Sequence, residues 1–140
     1  MTQFLFAYGF LKKSLRCNPE LKAPDIPGKW IGTGCYSGKM YMVDSYPGVK
    51  YSNIGSDFVI GEVLLLKKNP FFLKEMDEYE MSKPLYKKWP YEYVRKKREV
   101  IINNRMVNCW VYEYALPVKT FSRILSGNFQ MKKELILMKN

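Results

Sequence analysis

Asp57-Phe58-Val59-Ile60-Gly61-Glu62-Val63-Leu64-Leu65-Leu66-Lys67 is the stretch on which the fold turns. Phe58, Val59, Ile60, Val63, Leu64, Leu65 and Leu66 form a run too continuously apolar for a strand with one face in water, so this segment reads as a strand covered on both faces. Two residues further on, Asn69-Pro70 has the chemistry of a helix start: asparagine can cap, and proline at the first helical position gives up an N–H that has no partner there. Phe72, Leu73, Met76 and then Tyr79 or Glu80 recur at helical spacing, which buries one face and leaves Glu80 on its margin, while Lys74, Glu75 and Glu78 read as solvated. A covered strand passing into an amphipathic helix implies a core built by sheet and helix together.

Working outward, Gln3 to Tyr8 is short, apolar and aromatic and stops at Gly9, the pattern of a buried strand entering a turn, after which Leu11 to Arg16 has room for one or two helical turns. Pro19, Pro24 and Pro27 forbid regular structure from Asn18 to Lys29. The glycine-punctuated, aromatic and β-branched segment Lys29 to Val43 reads as a hairpin, and Tyr46-Pro47-Gly48 as a turn. Glu92 to Asn103 alternates into Val100-Ile101-Ile102, turns at Asn103-Asn104 and returns as Met106 to Leu116, a second hairpin with Trp110, Tyr112 and Tyr114 on one face. The expected class is α+β: a small, strongly curved mixed sheet or barrel with one main helix. No repeat, low-complexity tract or linker divides residues 1–140, which read as a single domain.

Composition narrows the function. Apolar residues make up 47% and aromatics 16%, too rich for a disordered chain. The longest apolar run, Phe4 to Leu11, is eight residues against the roughly 20 that span a bilayer, and it lacks a charged leader, so the expectation is a cytoplasmic protein with no membrane partner. The chain has no histidine, which removes serine–histidine and cysteine–histidine catalysis and every imidazole metal site. Cys17, Cys35 and Cys109 are an odd number with no C-x-x-C pair, so neither a disulfide framework nor a zinc site is expected, and Cys35 and Cys109 read as small buried thiols. No metal or cofactor is implied.

The net charge of +10 is concentrated: Lys83 to Arg98 holds seven cations against Glu92 alone. Tyr86, Trp89, Tyr91 and Tyr93 are interleaved with them, the pairing of stacking and phosphate neutralisation that a nucleic-acid binder uses. A solvated basic face accounts for the same residues, with nucleic-acid binding then weak and non-specific. Two further fragments carry chemistry. Tyr8-Gly9-Phe10-Leu11 places consecutive backbone N–H groups where a strand ends, a geometry suited to an anion, although an ordinary turn has the same residues. Met76-Asp77-Glu78-Tyr79-Glu80 puts Asp77 and Glu80 on one helix face.

The order and spacing of these fragments resemble the gamma-glutamylcyclotransferase superfamily, including its AIG2-like members, over almost the whole chain. The matching elements are Tyr8-Gly9-x-Leu11, Tyr46-Pro47-Gly48, Val59-x-Gly61-Glu62-Val63, Met76-Asp77-x-x-Glu80, Tyr93-x-Arg95, Trp110-Val111-Tyr112-x-Tyr114 and Ile124-x-Ser126-Gly127. Phe10 stands where the family commonly has a small hydroxyl residue and Met81 where a glycine follows the glutamate, so the pocket is expected to be narrowed by a ring. The resemblance implies release of 5-oxoproline from a γ-glutamyl amine or peptide by intramolecular aminolysis, with Glu80 as general acid/base and no cofactor. It implies that the N–H groups of Gly9, Phe10 and Leu11 bind the substrate's α-carboxylate or its ring carbonyl, with Tyr8 and Tyr114 as pocket walls or as core aromatics. A non-catalytic binder on the same fold remains the alternative to both. The leaving group and the oligomeric state are open.

Overall fold

The computed structural model describes residues 2–9, 28–43, 46–67 and 93–129. Their regular structure is β1 (Phe4–Ala7), β2 (Gly28–Val43), β3 (Tyr46–Tyr51), β4 (Phe58–Leu66), β5 (Tyr93–Ile102) and β6 (Arg105–Tyr114). The strand order is β3-β2-β4-β1-β6-β5, and β2 also pairs with β5, so five strands close into a barrel and β3 extends beyond it. β1 is antiparallel to β4 and parallel to β6, which makes the sheet mixed, as expected. The described residues hold no helix; the turns expected after Gly9 and the main helix after Asn69 lie outside them. No helix of the described residues is long and apolar enough to cross a membrane.

β4 sits between β2 and β1, as its unbroken apolar run requires: Val59 and Val63 turn into the barrel and Leu64 turns outward, all three fully buried. β1 is covered in the same way, with Phe6 and Tyr8 in the inner cluster and Leu5 and Ala7 in the outer. The second hairpin also forms as read. Ile102 pairs with Arg105, and Asn103 and Asn104 take positive φ values of 50° and 63°, the geometry of a two-residue turn that asparagine tolerates. Trp110, Tyr112 and Tyr114 share the outer layer.

Two expectations are corrected. Lys29 to Val43 is not a hairpin but part of one 16-residue strand, which begins at Gly28. Its glycines mark crowding rather than turning: a Cβ on Gly34 would lie 2.8 Å from side-chain carbons of both Val63 and Val100 in the barrel interior. Tyr46-Pro47-Gly48 is not a turn but the start of β3, where Met42 faces Pro47 and Tyr41 faces Gly48. Proline is accommodated because β3 is the edge strand, where a ladder can lack a donor. Beyond the barrel, the segment around Ile124 runs along the upper half of β2: Met42 N–H donates to Ser122 O and Ile124 N–H to Met40 O, each at 2.8 Å. Arg123 pairs with Asp57, and Gly127 accepts from Ile60 N–H at 2.7 Å.

Gly61 lets β1 lie close against β4 inside the barrel. A Cβ there would stand 2.5 Å from the Ala7 carbonyl oxygen and 2.6 Å from Phe6 Cζ, and the β1 backbone cannot retreat without breaking its ladder to β4. Gly61→Ala is therefore expected to cost about 1–3 kcal/mol, read as a lower urea midpoint with unchanged slope. A wild-type midpoint would show that β1 has room to move.

Candidate functional site

Tyr8 continues inward from the end of β1. It is buried, its ring stacks on Phe6 with centroids 6.4 Å apart and planes 10° apart, and its hydroxyl donates to the Tyr112 carbonyl at 2.5 Å. Gly9 follows at the rim, where a Cβ would lie 2.9 Å from Pro47 Cγ. Tyr114 ends β6, which runs parallel to β1 with Trp110 beside Leu5, so Gly9 and Tyr114 lie at the same end of the barrel. Its ring meets Tyr93 edge-on at 5.4 Å and Phe121 at 5.9 Å, and Lys50 Nζ stands 5.7 Å from its centroid.

β3 ties these positions together. Pro47 abuts Gly9 while the next residue, Gly48, abuts Tyr114 Cβ, and Tyr93 Oη–H donates to Pro47 O at 2.8 Å. The rings of Tyr8 and Tyr114 nevertheless lie in different layers, Tyr8 in the inner cluster and Tyr114 in the outer. Glu80, Phe10, Leu11 and Met81 lie outside the described residues.

Sequence reading missed a polar group inside the barrel. Glu113 is 6% exposed, and its Oε2 accepts from Tyr36 Oη at 2.7 Å and from Arg98 Nε at 2.7 Å, while Arg98 Nη2 reaches Oε1 at 3.1 Å. This is the forked, charge-assisted arrangement that gives a buried carboxylate its partners. The Arg98 guanidinium also lies 3.9 Å over the Tyr51 ring. Tyr36 stacks on Phe6 at 5.8 Å and 19°, so Tyr36, Phe6 and Tyr8 form one column through the interior. Alternation could have exposed Glu113: with Trp110, Tyr112 and Tyr114 facing out, it must face in with Cys109 and Val111. Its partners carried no local signal, because Tyr36 reaches it only through the β2–β5 closure.

The basic stretch is not a uniform solvated face over the residues described. Lys96 and Lys97 are exposed, Arg95 and Lys97 approach the Trp110 ring at 4.3 and 4.8 Å, and Arg98 turns inward to Glu113. Cys35 is half-buried rather than buried, while Cys109 is fully enclosed and its thiol is pushed up to about 12 by burial. Among the described residues no three of His, Cys, Asp and Glu come together in a way that could hold a metal ion.

Burial first, and then the charge of Glu113, hold the Tyr36 hydroxyl well above the ordinary tyrosine range. The folded state therefore keeps this proton, and that of Cys109, at a pH where the unfolded chain releases them. Their contribution is whole below the unfolded values, near 10 for the tyrosine and 9 for the thiol, and is lost as pH rises beyond them. Between pH 9 and 11 the urea midpoint of the wild type should fall more steeply than that of Tyr36→Phe. Parallel curves would place that hydroxyl in contact with water.

Comparison with known proteins fits this architecture. The profile of the family described as gamma-glutamyl cyclotransferase, AIG2-like, matches residues 5–131. Among solved structures, an AIG2-like protein of Mus musculus shares 20% identity over 92% of this chain and 88% of its own, with a TM-score of 0.66. An uncharacterised protein of Pyrococcus horikoshii shares 20% identity over 98% and 95%, with a TM-score of 0.59. YkqA of Bacillus subtilis shares 19% identity over 99% of this chain at a TM-score of 0.66, and the chain spans 43% of the length of that protein. No curated protein sequence matches significantly. At these identities the structures establish the fold alone, the small curved mixed barrel, while the profile spans most of the sequence: the chain belongs to the gamma-glutamyl cyclotransferase, AIG2-like family.

Proposed function

We propose that the protein is a gamma-glutamyl cyclotransferase-type enzyme that releases 5-oxoproline from a small γ-glutamyl amine or peptide. The observation that carries this reading is the family match over residues 5–131, which spans both Tyr8-Gly9-x-Leu11 and Met76-Asp77-x-x-Glu80. The histidine-free inventory agrees with it, because the nucleophile belongs to the substrate. The free α-amine attacks the γ-carbonyl carbon, a C–N bond closes the five-membered ring, and the original amide C–N bond breaks. Making attack intramolecular supplies the high effective molarity of ring closure.

The protein then has two tasks, proton transfer and stabilisation of charge. Glu80 takes the proton that the attacking nitrogen gives up and returns it to the departing nitrogen, so atoms and charge balance without water or cofactor. The N–H groups of Gly9, Phe10 and Leu11 hold the α-carboxylate or the developing oxyanion. The rim formed by Gly9, Pro47 and Tyr114 supports this reading by giving Gly9 a neighbour held in the β3 ladder. Phe10, in place of a small hydroxyl residue, favours a compact leaving group.

A screen of γ-glutamyl compounds with 5-oxoproline as readout tests the activity. Glu80→Gln is nearly isosteric but cannot exchange a proton at neutral pH, so turnover should fall at least about 10²-fold while the protein stays folded. Turnover within a few-fold of wild type would remove Glu80 from the mechanism. Acetylating the substrate's α-nitrogen removes the attacking lone pair, so that compound should compete with the active substrate yet yield no product. Release of glutamate bearing oxygen from labelled water would identify a hydrolase instead.

A further inference from the structure

A buried carboxylate among a cluster of aliphatic side chains, aromatic rings and one thiol calls for a reason beyond stability. Ion pairs of this kind are often matched or surpassed by apolar residues of the same volume. The place of Glu113 supplies that reason. β1 and β6 are parallel neighbours with Leu5 beside Trp110, and Tyr8 and Glu113 each come three residues later on their own chains. The Tyr8 hydroxyl is tied to the carbonyl of Tyr112, the residue before Glu113. At the other end of the stacked column, Tyr36 gives its hydroxyl to Glu113 itself. The column Tyr36–Phe6–Tyr8 is thus held at its two ends by two consecutive residues of β6, Tyr112 at one and Glu113 at the other.

We propose that Glu113 is a positioning residue: with Arg98 it fixes the Tyr36–Phe6–Tyr8 column, and through Tyr8 it sets where the Gly9 N–H stands at the rim. The substrate-binding part of this inference rests on the cyclotransferase reading of that rim. Planes only 19° and 10° apart mean that rotation of one ring forces the next to follow in a close-packed interior. Tyr36 has a single orientation so long as its hydroxyl must meet Oε2, and Oε2 is itself held by Arg98 Nε. Arg98 is anchored on its outer side by Tyr51 of β3, the strand whose Pro47 abuts Gly9. Both routes from Glu113, through the column and through β3, lead to the same glycine.

Two variants test this. Glu113→Gln keeps the shape and loses the charge that holds Arg98. Tyr36→Phe keeps the ring and removes the hydroxyl, and serves if the first fails to fold. Each should displace the Gly9 amide resonance in a ¹H–¹⁵N spectrum. Each should also raise KM for a γ-glutamyl substrate about ten-fold with kcat within about three-fold, the split that follows when the Gly9 N–H holds the α-carboxylate in ground state and transition state alike. The double variant should be no worse than the poorer single, because both cut the same link. A purely structural role would lower the folded fraction and hence apparent kcat, leaving KM and the Gly9 resonance of the folded protein unmoved, and that result overturns the proposal. If the wild type turns over no γ-glutamyl compound, the cyclotransferase reading fails. In that event a displaced Gly9 resonance still supports positioning by Glu113, and an unmoved one overturns it.

Discussion

Closure of the sheet through β2 is the constraint on which the rest of the molecule depends. This strand pairs with β4 over Gly28 to Ser37, with β5 at Cys35 and Tyr36, and with β3 over Gly38 to Val43. Only a long strand can serve three partners, two of them together at Cys35 and Tyr36, and only one that bends can face them all. The register shift between Trp30 and Gly32 supplies part of that bend. The seam to β5 is narrow, and it is what removes two open edges from the sheet. A five-stranded barrel has little internal room, so its interior is side chains throughout, and the missing Cβ atoms of Gly34 and Gly61 are what let Val63, Val100 and Phe6 occupy it.

The polar network belongs to that seam. Tyr36 comes from β2, Arg98 from β5 and Glu113 from β6, so the hydrogen bonds of one carboxylate join the strands on both sides of the closure. A slip of one residue between β2 and β5 would turn Tyr36 to the opposite face and leave Glu113 buried without that partner. Apolar packing alone tolerates such slips more readily, since one valine replaces another. The network therefore specifies register where the seam itself, with two paired residues on β2, specifies it least.

How much of this was legible in the sequence follows from what kind of signal each part carries. β1, β4 and the β5–β6 hairpin were readable because their evidence is local: continuous apolar runs, strict alternation, and a two-asparagine turn. Lys29 to Val43 was misread because its glycines have two physical uses, turning a chain and admitting a close neighbour, and only the barrel shows that Gly34 serves the second. Tyr46-Pro47-Gly48 failed for a related reason, since proline is a turn residue in general but is tolerated in an edge strand. The candidate site was visible as motifs in order, and of those Tyr8, Gly9 and Tyr114 fall on one end of the barrel. The Glu113 network joins positions 36, 98 and 113, a separation that no local pattern reports.

The interior is also chemically quiet, which bears on where reactive groups can stand. The Cys109 thiol is held by burial near 12, far from a thiolate at neutral pH, and Tyr36 is held protonated by burial and by Glu113. Glu113 in turn has its oxygens occupied by Tyr36 and Arg98. Among the described residues, Tyr36, Arg98 and Glu113 are thereby committed to one another. On the proposed chemistry this division is an advantage. A substrate that brings its own nucleophile needs a rigid rim to be oriented against and one carboxylate, and a second ionisable group competing for the same proton would only divert it. The barrel meets the first need by being filled and cross-tied, and the proposal assigns the proton transfer to Glu80, which lies outside the described residues.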